Sequence, residues 1–287
     1  MAIPVLTYHS ARIEGNDYAS NDHVAFFHDL RLLHSLGFRI ARLEDVVANL
    51  KAGARGAPRA VAITLDDGTD FDYYDLPHPR WGTQRSMFNI MRDFVAQFGR
   101  EAQPCLHATS FVVVSPKARL ELDRSCLAGQ NWYTDDWWNP AIASGLMAIA
   151  NHSWDHNHPQ AHADDCPGAG DGTFTAIDNF AAADAQIRQA AEYLSARTGG
   201  RATPLFAYPY GETNSYLVED YLPKYSDQHG MQAAFDATHG MVTEECDVWQ
   251  LPRFVFGLHW KEHGELAELL LREGMAQGTG SRGRSIE

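Results

Sequence analysis

Short runs of apolar and β-branched residues recur along the chain, separated by longer stretches in which apolar residues have helical spacing. Seven such runs, each of five to nine residues, are typical of strands buried in a sheet. They lie at residues 3–8, 60–65, 106–114, 145–150, 204–208, 232–237 and 249–256. Because strand and helix patterns alternate, the chain is predicted to form a parallel α/β sheet or barrel.

Helical spacing is clearest in two segments that end at a glycine. Apolar residues recur with this spacing over 27–36, before Gly37, and over 87–98, before Gly99. Glycine is a common helix terminator, so both segments are predicted to be helices. Two further helices are predicted at 175–198 and 262–275, and loops at 69–82 and 159–174.

Length and charge narrow the class of protein. The chain has 287 residues, 45% hydrophobic and 21% charged, which are the proportions of an ordinary globular protein. This length suits one α/β barrel. The formal net charge is −14, and no cluster of Lys and Arg offsets it, so we expect no nucleic-acid partner.

Cysteine spacing and the N-terminus bear on redox chemistry and location. The four cysteines, Cys105, Cys126, Cys166 and Cys246, form no Cys-x-x-Cys pair, which gives no sign of a zinc knuckle or a dithiol redox site. The first residues do not follow the signal-peptide pattern, and no apolar run reaches the roughly 20 residues that span a bilayer. We therefore expect a cytoplasmic protein without membrane insertion, or an extracytoplasmic one if the sequence is a processed form.

Two adjacent carboxylates, Asp66 and Asp67, directly follow the predicted strand at 60–65. Loops at the carboxyl ends of parallel strands build the active sites of α/β folds. Successive residues that leave a strand face different ways, so one carboxylate can bind a metal while the other lies beside it. Asp-Gly is also ordinary turn chemistry, so this pair alone is equally consistent with an acidic turn.

Closely spaced histidines can share a metal ion, but their spacing here is weak support by itself. With 14 histidines, chance predicts about one pair four residues apart, and the chain has three: His152/His156, His158/His162 and His259/His263. Only the first pair directly follows a predicted strand. Asp67, His152 and His156 therefore form the predicted metal site, in which three ligands leave a position open for water.

Three ordered motifs resemble those of the polysaccharide deacetylases with the NodB homology fold. They are Leu-Asp-Asp-Gly at 65–68, His-Ser-x-x-His at 152–156 and Phe-Ala-Tyr-Pro-Tyr-Gly at 206–211. The opening VLTYHS and the run at 108–114 also resemble strands of this family. The resemblance implies a distorted (β/α)7-8 barrel over residues 1–277, an enlarged insertion around 69–104 and a flexible tail at 278–287.

The resemblance also implies roles for individual residues. Asp66 would be the catalytic base, and Asp67, His152 and His156 would be the ligands of one divalent metal ion. Zinc is the first choice, and the same ligand set also accepts cobalt or nickel. Pro209 and Tyr210 would belong to the substrate groove, with the backbone N–H of Tyr210 stabilising the oxyanion.

Two positions depart from the family pattern. The third motif usually begins with an Arg that braces the base, whereas this chain has Ala207, and Arg253 is a candidate replacement. The general acid is usually a late histidine in a Leu-x-His motif that His259 does not match. In the branch that opens with a Tyr-His strand, typical of poly-N-acetylglucosamine deacetylases, the N-terminal histidine takes this place. His9 is therefore preferred to His259.

Four functional hypotheses follow. The first is a metal-dependent hydrolase that removes acetyl groups from a carbohydrate, with N-acetyl groups preferred to O-acetyl groups. The second keeps the fold but opens small cyclic amides or imides. The third is a non-haem iron oxygenase, and the fourth an inactive sugar-binding relative. Four tryptophans lie in predicted loops, where they could stack on a flat ligand or cover the barrel: Trp81, Trp132, Trp137 and Trp138. Of these, Trp81 is the candidate for substrate binding.

Overall fold

The structure, a computed structural model, describes residues 2–54, 57–161 and 172–276, and strands alternate with helices through these ranges. The strands are β1 (Ala2–Ile3), β2 (Val5–His9), β3 (Arg39–Ile40), β4 (Ala60–Asp66), β5 (Leu76–His78), β6 (Gly82–Gln84), β7 (Ala108–Val112), β8 (Met147–Asn151), β9 (Leu205–Ala207), β10 (Ala233–Phe235), β11 (Val242–Thr243) and β12 (Phe254–Val255). The helices are α1 (Asp22–Ser35), α2 (Leu43–Lys51), α3 (Met87–Phe98), α4 (Pro116–Cys126), α5 (Trp138–Ala143), α6 (Phe180–Gln186), α7 (Arg188–Thr198), α8 (Leu222–Lys224), α9 (Ser226–His229) and α10 (His263–Ala276).

The central sheet is parallel and has the strand order β10-β9-β8-β7-β4-β2-β12, with β3 alongside the start of β4. The chain just before β12 returns to the opposite edge, where Leu251 forms a parallel bridge with Phe235 of β10. β12 itself pairs with β2. One short segment therefore contacts both edges, and the sheet curls into a distorted barrel. The predicted fold class is confirmed, and it differs from the jelly roll that the oxygenase hypothesis requires.

Alternate residues of β4 face the two sides of the sheet. Val61, Ile63 and Leu65 belong to an outer core that also contains residues of α1 and α3. Ala60 and Ala62 belong to an inner core, to which α2 contributes Leu43, Val46 and Val47. Asp66 lies on the inner side by the same alternation, at the carboxyl end of the strand. The hydrophobic pattern of β4 thus directs this carboxylate into the barrel.

The seven predicted strands are present, but the helix predicted at 175–198 is interrupted. It divides into α6 and α7 at Ile187, whose φ and ψ are −109° and −57°. The Gln186 carbonyl accepts a hydrogen bond from the Trp154 N–H, and the Ile187 carbonyl accepts one from the Asn151 side chain. The prediction of one continuous helix was wrong because these carbonyls bind the loop after β8.

The segment at 69–82, predicted as a loop, contains a 3₁₀ turn at Asp70–Asp72 and most of the antiparallel hairpin β5–β6. Much of the loop predicted at 159–174 and the tail predicted at 278–287 lie outside the described residues. Across the described ranges, every helix is too short or too polar to serve as a membrane span.

Candidate active site

A cavity of 410 Å³ opens at the carboxyl end of the barrel. We call it the barrel-mouth cavity. Most of its polar lining residues lie at or just after the carboxyl ends of strands. Val113, Leu122, Leu127 and Leu258 form the apolar part of the wall. The lining brings together His9, Asp66, Asp67, His152, His156, His158, Tyr210 and Arg253.

Asp66 and Arg253 form a buried ion pair at the base of this cavity. Arg253 donates from Nη1 to Oδ1 at 2.7 Å and from Nη2 to Oδ2 at 2.8 Å. Burial by itself would raise the pKa of Asp66, but the charges of Arg253 and His152 and the hydrogen bonds from Arg253 lower it to about 2. Asp66 is therefore an ionised carboxylate over the ordinary pH range.

Arg253 reaches Asp66 from the segment that closes the barrel, just before β12. Its Nε donates to the Asp236 carbonyl at 2.9 Å, which fixes the plane of the guanidinium group. A guanidinium, that of Arg253, therefore contacts the candidate base Asp66, although Ala207 occupies the position of the usual arginine in the third motif. The carbonyl of Ala207 has a different contact, since it accepts a hydrogen bond from His152 Nδ1 at 2.9 Å.

Asp67 leaves the strand in a left-handed conformation, with φ of 73°, and Gly68 follows with φ of 75°. A Cβ at Gly68 would lie 2.9 Å from the Cα of Val112, so the turn has no room for a side chain there. The Asp67 carbonyl accepts hydrogen bonds from the Val113 N–H and the Tyr133 hydroxyl. This turn separates the directions of the two adjacent carboxylates.

Asp67 lies beside two imidazoles. Its Oδ1 is 3.7 Å from His152 Nε2 and 3.5 Å from His156 Nε2. One potential ligand atom from each residue lies within 4.8 Å of the other two. Because His152 Nδ1 donates to the Ala207 carbonyl, Nε2 is the ring nitrogen that remains for a metal ion.

A tight turn, rather than a helix, brings His156 next to His152. Ser153 and His156 both have positive φ, at 71° and 64°. The Ser153 hydroxyl accepts a hydrogen bond from the His156 N–H, and the Asn151 side chain accepts one from the Ser153 N–H. The spacing of four residues is therefore the product of this turn and its polar side chains.

Burial disfavours the protonated form of both imidazoles, and metal ligands must be unprotonated. Burial lowers the pKa of His156 to about 3, with a further contribution from the charge of His152. Burial also lowers the pKa of His152, against the opposing charges of Asp66 and Asp67.

The three side chains suit a divalent metal ion. Bonds of about 2.0–2.2 Å to a tetrahedral ion would separate its ligand atoms by roughly 3.3–3.6 Å, close to the spacings around Asp67. One carboxylate and two imidazoles are donors that zinc, cobalt and nickel accept. Three protein ligands leave an open position, which is the arrangement of catalytic metal sites.

Tyr210 forms one wall beside the imidazoles. It has φ of 60°, and its ring meets the ring of His156 edge-on at 4.4 Å between centroids. Among the described residues, no backbone acceptor engages the Tyr210 N–H. Pro209 is buried behind it and does not line the cavity.

The two candidate acids occupy different places. His9 lines the barrel-mouth cavity at the end of β2, and its Cα is the register partner of that of Asp66. The Asp22 carboxylate accepts a hydrogen bond from the His9 N–H at 2.7 Å. His259 does not line the cavity, and its Nδ1 accepts a hydrogen bond from the Val255 N–H.

The four candidate tryptophans differ in burial and in position. Trp137 and Trp138 are fully buried, so neither can stack on a ligand. Trp132 packs edge-on against Phe71. Trp81 lines a second cavity, of 460 Å³, which shares Ala11, Cys126 and Leu127 with the first. We call it the hairpin cavity, because the turn between β5 and β6 forms one wall. Sequence reasoning missed Tyr133, which both supports the Asp67 turn and lines the barrel-mouth cavity.

Comparison with known families gives one match within the chain. Residues 106–234 match the family model described as polysaccharide deacetylase. This range contains both candidate histidine ligands and Tyr210, and it begins after the two aspartates. No curated protein sequence matches the chain.

Solved structures with the same fold include several deacetylases. The deacetylase PplD of Streptococcus pyogenes, in complex with acetate, is 15% identical, with a TM-score of 0.60 over 94% of this chain and 98% of that one. A de-N-acetylase of Aggregatibacter actinomycetemcomitans is 14% identical, with a TM-score of 0.61 over 94% and 100%. IcaB of Ammonifex degensii is 15% identical, with a TM-score of 0.59 over 95% and 97%.

Proposed function

We propose that this chain, which belongs to the polysaccharide deacetylase family, uses a metal ion and Asp66 to remove N-acetyl groups from a carbohydrate. The family and the enzyme class predicted from the sequence, a hydrolase of amide bonds in N-acetyl sugars, are confirmed. The observation that carries the finer proposal is the ligand cluster of Asp67, His152 and His156 beside the ion pair of Asp66 and Arg253.

Asp67, His152 and His156 would hold the ion. When bound, the ion supplies a Lewis acid that polarises the acetyl carbonyl and makes a bound water more acidic. The Ala207 carbonyl fixes the tautomer of His152, and the Ser153 hydroxyl fixes the turn that carries His156. Both contacts keep the ligand atoms directed at one point before any ion binds.

Asp66 would be the general base. Its Oδ2 lies 4.0 Å from His152 Nε2, which places it beside the ligand cluster without belonging to it. The bidentate contact with Arg253 keeps it ionised and fixes its orientation. It would take a proton from the attacking water as the water oxygen bonds to the carbonyl carbon.

Tyr210 and His9 would complete the reaction. The backbone N–H of Tyr210, which no backbone carbonyl of the described residues engages, would be a donor for the developing oxyanion. His9, which also lines the cavity, would protonate the nitrogen as the carbon–nitrogen bond breaks. Acetate and a free amine are the products. The resemblance to the family branch that opens with a Tyr-His strand implies the same choice of acid.

A panel of acetylated sugars tests the proposal. Protein stripped of metal and reloaded separately with zinc, cobalt or nickel is incubated with N-acetylated and O-acetylated sugars, and released acetate is measured. We expect acetate from N-acetyl sugars, one ion per chain, and activity that chelation abolishes and metal restores. Full activity in chelated protein would contradict the metal role. Ring opening of cyclic imides without acetate release would contradict the substrate class.

A further inference from the structure

Residues 131–135, between α4 and α5, form a loop that contacts the turn after β4. We call it the supporting loop. Its Tyr133 is buried, and the Tyr133 hydroxyl donates a hydrogen bond to the Asp67 carbonyl at 2.8 Å. Because Asp67 is one of the three candidate metal ligands, this hydroxyl contacts a ligand residue through its main chain rather than through its carboxylate.

Hydrogen bonds anchor the supporting loop on both sides of Tyr133. Asp123 of α4 accepts hydrogen bonds at 2.8 and 3.0 Å from the N–H groups of the first two residues of the loop. Asp70, from the turn after β4, accepts hydrogen bonds from the Thr134 N–H at 2.7 Å and from its hydroxyl at 2.9 Å. The Trp132 carbonyl accepts one from the Asp70 N–H at 2.9 Å. The hydroxyl of Tyr133 is therefore a donor whose position is fixed before any ligand binds.

The backbone of Asp67 needs such support. Its φ of 73° is left-handed, and a residue other than glycine keeps this conformation only where surrounding contacts hold it. The Tyr133 hydroxyl and the Val113 N–H both bind the Asp67 carbonyl. A change of φ at Asp67 would alter the direction of its carboxylate relative to His152 and His156. The contacts of the carbonyl thus influence where the carboxylate points.

We propose that Tyr133 is a positioning residue that raises the affinity of the metal site, because it holds Asp67 in the conformation that directs the carboxylate at the two imidazoles. This inference rests on the proposed function, in which Asp67 is a ligand. Removing an outer contact of a metal ligand typically weakens metal binding by about 10–100-fold. The hydrogen bond from Val113 remains without the Tyr133 hydroxyl, so the lower end of this range, about tenfold, is expected.

The test removes the hydroxyl and keeps the ring. Metal-free wild type and Tyr133→Phe are titrated with Co²⁺, and with Zn²⁺ in competition with a chelator. We expect Tyr133→Phe to bind either ion about tenfold more weakly and to change the absorption spectrum of bound Co²⁺, because the Asp67 ligand is less well oriented. Excess Zn²⁺ should restore most of the acetate release from N-acetylglucosamine, with the KM of the wild type.

Tyr193→Phe is the matched control. The Tyr193 hydroxyl donates to Asp135 Oδ2 of the same loop at 3.0 Å, and Tyr193 is not among the lining residues of the barrel-mouth cavity. This variant should bind both ions within about twofold of the wild-type affinity. Wild-type affinity and an unchanged Co²⁺ spectrum in Tyr133→Phe would overturn the inference. An equal loss of affinity in both variants would also overturn it, because general loosening of the loop would then explain the result.

The metal titration does not depend on which sugar is the substrate, so two kinds of failure can be distinguished. If no sugar releases acetate while the two variants differ as expected, the proposed function is wrong and the role of Tyr133 stands. If the wild type binds no ion, or binds it no better than Asp67→Ala does, the assignment of Asp67 as a ligand fails and the role of Tyr133 fails with it.

Discussion

The barrel-mouth cavity and the hairpin cavity lie side by side but are constructed differently. In the first, His9, Asp66 and His152 lie at or directly after the ends of parallel strands, so the backbone register of the sheet sets their positions. In the second, Trp81 lies in the turn of a hairpin with three residues in each strand, and side chains of Asn16 and Gln84 set its position. The fold determines the first arrangement, whereas a local polar network determines the second.

The charged groups of the two cavities also differ in burial and in ion pairing. Asp66 and Arg253 are both buried and are paired with each other. Arg80 is exposed, and its guanidinium has no acidic partner among the described residues. Removing a charge in the barrel mouth should therefore affect stability as well as chemistry, whereas removing the exposed charge of Arg80 should change the stability little.

The largest expected effect comes from Asp66→Asn. Loss of the general base should lower kcat by about 10²–10⁴, with the metal content unchanged. Acetate release and metal analysis on the same sample check this. Because the variant leaves Arg253 without a carboxylate, Asp66→Asn/Arg253→Met serves as a folding control. Wild-type kcat in the single variant would contradict the role of Asp66.

The next largest effect is expected from Arg253→Met. It leaves a buried carboxylate without its counter-charge, which typically costs about 3–5 kcal/mol in unfolding free energy. Burial raises the pKa of Asp66 once the opposing charge is gone, so the pH below which activity is lost should move upward. Urea unfolding and a pH–rate profile measure the two effects. An unmoved acidic limb would show that Arg253 does not keep the base ionised.

His9→Ala and His259→Ala form a pair with a smaller expected effect. His9→Ala should lower kcat by about 10²-fold on amide substrates, because amine departure needs a proton. His259→Ala should change it less than about twofold, since His259 lies outside the barrel-mouth cavity. Rates on an N-acetyl sugar and on a phenyl acetate ester, whose leaving group needs no proton, check the assignment. The reverse order of the two variants would transfer the acid role to His259.

The smallest expected effect is that of Asn16→Ala in the hairpin cavity. It removes one of the two hydrogen bonds to the Trp81 carbonyl and leaves the bond from Gln84. Urea unfolding should show a loss of about 0.5–1.5 kcal/mol in unfolding free energy, and acetate release from N-acetylglucosamine should show the kcat of the wild type. A loss of kcat as large as that of His9→Ala would mean that the two cavities are not separate in function.

Local patterns in the sequence were sufficient to predict the site residues that lie at strand ends. The apolar run of β4 followed by Asp66 and Asp67 predicts both a buried strand and polar groups at its carboxyl end, and β8 followed by His152 does the same. Each inference needs only the alternation of side chains and the general location of sites in parallel sheets. The confirmed fold class rests on the same signals.

Contacts between distant residues could not be predicted in this way. Arg253 and Asp66 are 187 positions apart, and their approach depends on the closure of the barrel. The break at Ile187 depends on hydrogen bonds from Asn151 and Trp154, which a helical pattern does not reveal. The hairpin β5–β6 was not predicted because its strands are short and its hydrogen-bonding side chains, such as Gln84, are polar.

The segment that bridges Phe235 and then pairs with β2 has a consequence for the order in which the protein assembles. This segment carries Arg253 and lies late in the chain, whereas Asp66 lies in its first quarter. Contacts between such distant positions form late in folding, because long loops must close first. During synthesis, the nascent barrel therefore holds its aspartates before their counter-charge has arrived. Catalytic competence should appear only in the last step of folding, when the edges of the sheet join.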